Sequence, residues 1–114
     1  MKIGVKELQK FLRGKFADRA NFDPIECVLY GHDIGEMPSI IKPILGNTTP
    51  CAVVQPVTEQ EVVELVRWAY ENDIVLTPRG KATSGYGGAI PIKRGVVVDF
   101  RRLNRVVEID KEKL

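Results

Sequence analysis

The apolar positions follow two regimes along the 114 residues. In 5-VKELQKFLRGKF-16, Val5, Leu8, Leu12 and Phe16 recur at helical spacing with Phe11 beside them. That predicts a short amphipathic helix, fraying at Gly14. From Asn21 to Pro50 the periodicity breaks down. The stretch 24-PIECVLYGHDIGEMPSIIKPILGNTTP-50 scatters three glycines and four prolines among apolar residues. It reads as an ordered but irregular wrap, too apolar for a disordered tail.

Beyond Cys51 the pattern is regular. The run 51-CAVVQP-56 is a short apolar strand stopped by Pro56. In 58-TEQE-61, Thr58 and Glu61 have capping-box spacing: the hydroxyl takes the third amide of the helix, and the carboxylate reaches back to the cap amide. The helix then runs to about Asn72, with Val62, Val63, Leu65, Val66, Ala69 and Tyr70 as its expected buried stripe. Next comes the strand 73-DIVLTP-78. Strand, helix and strand joined by short links predict a βαβ crossover with parallel strands. The runs 95-GVVVDF-100 and 106-VVEID-110 are two further strands, joined by a turn at 101-RRLN-104.

Composition removes several function classes. With 44% hydrophobic and 28% charged residues, the chain is an ordinary single folded domain. A net charge of +2, with acidic residues interleaved through the basic C-terminal stretch, gives no nucleic-acid surface. Cys27 and Cys51 stand apart from each other and from the single His32, so no metal-ligand set forms, and both are read as buried thiols. The longest uncharged run holds three prolines and predicts no membrane span, and the N-terminus lacks the apolar core of a signal peptide. The cytoplasm is the expected compartment.

The chemistry concentrates in 77-TPRGKATSGYGGAIP-91, which follows the second strand of the βαβ unit. Loops at the carboxyl ends of parallel strands are where α/β proteins bind ligands. Gly80, Gly85, Gly87 and Gly88 let backbone amides approach an anion, Thr83 and Ser84 add hydroxyls, and Arg79 adds a cation. The loop is neither a Walker A sequence nor a dinucleotide fingerprint: Tyr86 and Gly87 stand where Lys and Ser/Thr belong, and 85-GYGGAI-90 runs straight into Pro91. Composition leaves three roles for it: an anion or backbone-contact site, a tight structural loop, or a mobile lid.

A longer constellation resembles the FAD-linked oxidase family, whose fold is shared by vanillyl-alcohol oxidase, para-cresol methylhydroxylase, glycolate oxidase and D-lactate dehydrogenase. Val53, Pro56, Thr58 and Val62 are followed by Pro78, Arg79, Gly80, Thr83, Ser84, Gly87, Gly88, Ala89 and Pro91. Gly95, Val97, Asp99, Asn104, Val106, Ile109 and Asp110 complete the order. The lead-in 30-YGHD-33 is also similar, and the likeness covers roughly residues 28 to 114.

The resemblance implies an α/β fold of the α+β type, the first subdomain of a two-subdomain FAD-binding fold. It would have a small, mostly parallel sheet with a βαβ unit and an N-terminal helical segment. Residues 1–27 would be the helical and irregular lead-in, and residues 28–114 a partial FAD-binding domain. Pro78, Arg79, Gly80, Lys81, Ala82, Thr83, Ser84, Gly87 and Gly88 become the candidates for wrapping the FAD pyrophosphate. Lys81 and Ala82 replace glycines usual in the family. Ala82 is expected to adopt a torsion that an L-residue tolerates, and Lys81 to meet a phosphate or solvent.

No histidine stands at the Thr83 position, so FAD is expected to be non-covalent. No catalytic residue is assigned. His32 is read as a surface or turn imidazole, Asp99 and Asp110 as turn caps or solvent-exposed groups. Phe16, Trp68 and Tyr70 are read as core or domain-edge residues, and Tyr86, in a loop of otherwise small residues, as a candidate to pack near the flavin.

The implied function is the FAD-binding fragment or subunit of a flavin-dependent oxidoreductase acting on a 2-hydroxy acid of the glycolate or D-lactate kind, not catalytically complete alone. Implied partners are a further C-terminal half or a separate subunit carrying the second FAD subdomain and the substrate domain, and an electron-transfer partner. The alternatives are a non-catalytic nucleotide- or phosphate-binding module and a structural subunit.

Overall fold

The computed structural model describes residues 1–35 and 37–113. Glu36, inside the stretch expected to be irregular, and Leu114, the last residue of the expected domain, lie outside the described residues. Helix α1 (Val5–Phe16) buries Leu8, Leu12 and Phe16 completely and leaves Val5 exposed. It runs straight through Gly14 and ends at Ala17, in the left-handed region at φ 51°. Three buried side chains on one face outweigh the helix propensity lost at a single glycine.

A 3₁₀ turn (Ala17–Arg19) leads into the two-residue strand β1 (Ala20–Asn21). The supposedly irregular stretch holds two short helices, α2 (Pro24–Leu29) and α3 (Lys42–Leu45). Helix α2 starts where local chemistry dictates: the Asp23 carboxylate accepts from the Ile25 amide at 2.8 Å, and Pro24 occupies the first turn.

Strand β2 (Ala52–Val54), helix α4 (Glu59–Glu71) and strand β3 (Leu76–Arg79) form the expected crossover, and β4 (Val96–Asp99) follows. The sheet order is β1-β2-β4-β3, with β2, β4 and β3 parallel and β1 antiparallel at one edge. The two crossover strands are therefore parallel but not neighbours, because β4 lies between them. All four β4 residues are buried, and a strand apolar on both faces belongs at the centre. Gly95, entering β4 at φ 62°, lies so close to β3 that a Cβ would collide with the Val75 carbonyl.

The pleat divides the core. Ala52, Val54, Val96 and Val98 pack with Leu8, Leu12, Phe16, Leu65 and Ala69 of the two long helices. Val53 and Val97 face the other way, against Cys27 and Tyr30. Cys27 is buried, as its apolar neighbours suggested, and Cys51 is half-buried.

The buried stripe of α4 is narrower than its sequence implies. Leu65 and Ala69 are buried, while Val63, Val66 and Tyr70 are exposed. The contact face is turned toward Trp68, whose ring stacks on Phe11 with centroids 4.0 Å apart. Residues 106–110 are not a strand; Val106, Val107 and Ile109 are exposed. Among the described residues no neighbouring strand shares their backbone hydrogen bonds, and a lone extended run does not hold itself. No helix among the described residues is long and apolar enough to cross a membrane.

Candidate functional site

The carboxyl ends of the three parallel strands bring Gln55, Asp99 and Arg79 to one edge of the sheet. Asp99 is 0% exposed and is satisfied from several directions. Its Oδ2 accepts from the Tyr30 hydroxyl at 3.2 Å and from Gln55 Nε2 at 3.0 Å, and pairs with Arg101 Nε at 2.7 Å. Its Oδ1 accepts from the Arg101 amide at 3.1 Å. A buried carboxylate survives only with such partners. The turn-capping reading of Asp99 holds; its solvent-exposed alternative does not. Gln55 extends the network by accepting from Arg102 Nε at 2.7 Å through its own side chain. Burial, reinforced by the Asp99 charge, raises the Tyr30 phenol above its usual range.

The glycine loop leaves the sheet beside this network. Pro78 and Arg79 are the last residues of β3. Arg79 donates Nη1 to the His32 carbonyl at 2.9 Å, and its guanidinium carbon lies 5.2 Å from the centre of the Tyr30 ring. His32 is exposed, as expected of a turn imidazole, and contributes through its backbone. Gly80, Lys81, Thr83, Ser84 and Gly88 are exposed; Ala82 and Gly87 are half-buried. Tyr86 is fully exposed.

Two torsions matter. Gly87 sits at φ 83°, as a glycine readily does. Ala82 sits at φ 52°, in the left-handed region that L-residues rarely adopt, contrary to the torsion expected for it. Gly80, by contrast, has ordinary φ and open space where a Cβ would go.

Hydrogen bonding divides the loop. The Gly87 amide donates to Asp33 Oδ2 at 2.8 Å, and the Ile90 amide closes a turn onto the Gly87 carbonyl at 3.1 Å. Among the described residues, the amides of Lys81, Ala82, Thr83 and Ser84 have no hydrogen-bond acceptor. That exposed limb borders a cleft of about 930 Å³ lined by Glu26, Leu29, Tyr30, Arg79, Gly80, Lys81, Thr83 and Arg101. With Arg101 paired to Asp99, Arg79 and Lys81 still outnumber the one lining carboxylate, Glu26, and make it a place for an anion. Residues 31–35 and Ile90 line a separate cleft of about 490 Å³.

Sequence reading placed Pro78 to Gly88 correctly at a strand's carboxyl end but missed Tyr30, Asp33 and Arg101. The 30-YGHD-33 lead-in was visible only as a likeness, because the contacts it makes span about fifty residues of chain.

Residues 50–114 match the family described as FAD binding domain. The chain belongs to that family. Its cofactor is FAD, and the loop fits one: the free amides of Lys81–Ser84, the Thr83 and Ser84 hydroxyls and the nearby Arg79 and Lys81 cations are donors suited to a diphosphate.

The chain is 35% identical over 69 residues to D-lactate dehydrogenase of Anaerostipes hadrus, covering 60% of this chain and 14% of that protein. It is 34% identical over 68 residues to glycolate oxidase subunit GlcD of Bacillus subtilis (strain 168), again covering 60% and 14%. A solved alkyldihydroxyacetonephosphate synthase superposes with a TM-score of 0.71 at 26% identity, covering 95% of this chain and 22% of that one. The chain thus spans about one seventh of the length of the two curated relatives. These likenesses bear out the α/β, mostly parallel fold and the FAD-linked oxidoreductase family, while the relatives' names span different substrates.

Proposed function

We propose that the chain is the FAD-binding portion of a flavin-dependent oxidoreductase acting on a 2-hydroxy acid of the D-lactate or glycolate kind. The observation that carries the cofactor part is the run of amides without an acceptor through Lys81–Ser84, beside a cationic cleft at the carboxyl end of β3. In this reading, Pro78 and Arg79 anchor the loop, and the Lys81–Ser84 amides with both hydroxyls bind the FAD diphosphate non-covalently. Lys81 and Arg101 add positive charge. Gly80 leaves room for a close approach.

Bound FAD supplies two-electron redox chemistry; this chain's residues bind, orient and electrostatically favour it. The 2-hydroxy acid reading rests on the names of two relatives, D-lactate dehydrogenase and glycolate oxidase subunit GlcD. A further polypeptide segment or subunit completes the cleft and contributes substrate contacts, and an electron-transfer partner takes the electrons onward. The cytoplasm is the compartment we assign, where Cys27 and Cys51 stay reduced.

The test is a titration of the assembly of the chain and its partner with FAD, followed by flavin fluorescence, for wild type and Lys81→Glu. Saturable binding, competed by inorganic pyrophosphate and weakened about tenfold by the charge reversal, is expected. Absence of FAD uptake, or uptake indifferent to Lys81→Glu, would overturn the assignment. For the substrate, anaerobic D-lactate or glycolate added to the flavin-loaded assembly of the chain and its partner should bleach the visible flavin bands. Bands that persist with both acids would refute the 2-hydroxy acid reading and leave the cofactor reading intact.

A further inference from the structure

Asp33 is 8% exposed and has no part in the binding scheme above. Its two carboxylate oxygens are both in use: Oδ1 accepts from the Gly35 amide at 2.9 Å and Oδ2 from the Gly87 amide at 2.8 Å. The same turn touches the glycine loop twice more. Arg79 reaches the His32 carbonyl at 2.9 Å, and Gly35 lies so close to Gly85 that a Cβ there would collide with the Gly85 backbone. These contacts fall at the start of the loop and in its second half. Among the described residues the limb between them, Lys81–Ser84, makes no hydrogen bond to the turn.

We infer that Asp33 is the positioning residue of the glycine loop: its carboxylate clasps the Gly87 amide, and with the Arg79–His32 contact it fixes both sides of the limb Lys81–Ser84 for a diphosphate. The inference rests on the FAD reading and divides its site. An amide already donating to a carboxylate is not free for a second anion, and a carboxylate at that point repels phosphate. Gly87 therefore shapes the loop instead of binding through its amide. Holding both ends of the open limb lowers the ordering cost of binding, which is where preorganisation increases affinity.

The experiment compares wild type, Asp33→Asn and Asp33→Ala. Amide exchange at Gly87 is read by NMR, and affinity for FAD and for ADP is read by titration. The Gly87 amide should be protected in wild type and lose about tenfold in protection in Asp33→Ala, the scale of one hydrogen bond to a charged acceptor. FAD and ADP should weaken by a similar factor, since ADP carries the diphosphate without the flavin. Asp33→Asn keeps one carbonyl acceptor for two amides and should fall between; it carries the test if Asp33→Ala does not fold.

Unchanged Gly87 exchange, or lost protection with FAD and ADP affinity intact, would overturn the inference. So would a loss confined to FAD and absent with ADP. A wild type that takes up neither ligand refutes the FAD reading, and Gly87 exchange in the variants still decides whether the clasp exists.

Discussion

Glu61 ties the N-terminal segment to the βαβ unit, and its protonation should be visible in the stability of the whole chain. The carboxylate forms a two-point pair with Arg19, Oε1 to Nη2 at 2.7 Å and Oε2 to Nη1 at 2.8 Å, and Oε2 also accepts from the Val57 amide at 2.8 Å. Hydrogen bonding to Arg19, the largest influence, and to the backbone lowers the Glu61 pKa from 4.5 to about 2. Taken at face value that drop is worth about 3 kcal/mol. Both side chains retain solvent contact, at 20% and 18% exposure, and screening reduces the figure to about 1–2 kcal/mol.

The sign follows from which state binds protons first. Below pH 4.5 the unfolded carboxyl is protonated while the folded one is still ionised, so stability falls as pH drops from about 4.5 to about 2. Above that window the contribution is complete. Urea unfolding of wild type and Glu61→Gln at several pH values measures it directly. At pH 7 the variant should be about 1–2 kcal/mol less stable, and the two curves should converge below about pH 2. Parallel curves across that window would show that the pair contributes no linkage, and would refute the argument.

Two further substitutions probe the site's scaffold. Ala82→Gly relieves a left-handed torsion at φ 52°, and should raise stability by about 0.5–1 kcal/mol in thermal unfolding; a lower midpoint would mean that the strain is absent in solution. Asp99→Asn exchanges a buried paired carboxylate for an amide facing the Tyr30 hydroxyl, Gln55 and the solvent-exposed Arg101, and should cost about 1–3 kcal/mol in urea unfolding. In that variant Tyr30 should also ionise at lower pH by ultraviolet titration, since burial alone would then hold its phenol up.

What was legible in the sequence is what local chemistry controls. The Thr58 half of the capping box is present as read, its Oγ1 accepting from the Glu61 amide at 3.2 Å, because capping involves residues three apart, while the Glu61 carboxylate accepts from the Val57 amide, one residue before the cap. The apolar runs at Val53 and Val97 became central parallel strands because few other places suit segments apolar on both faces. The failures have the opposite character. The strand expected at 106–110 has the right composition, but a strand is a relation between two segments, and its composition names only one. The stripe assigned to α4 was too wide because Val63, Val66 and Tyr70 are apolar without being covered, and coverage depends on where α1 docks.

The glycine loop shows the same division within fifteen residues. Its place at a strand's carboxyl end follows from order along the chain. That the Gly87 amide is held follows from Asp33, fifty-four positions away. Glycine content alone marks every part of such a loop as a binder; a buried carboxylate from a distant turn is what separates the part that is held from the part that is offered.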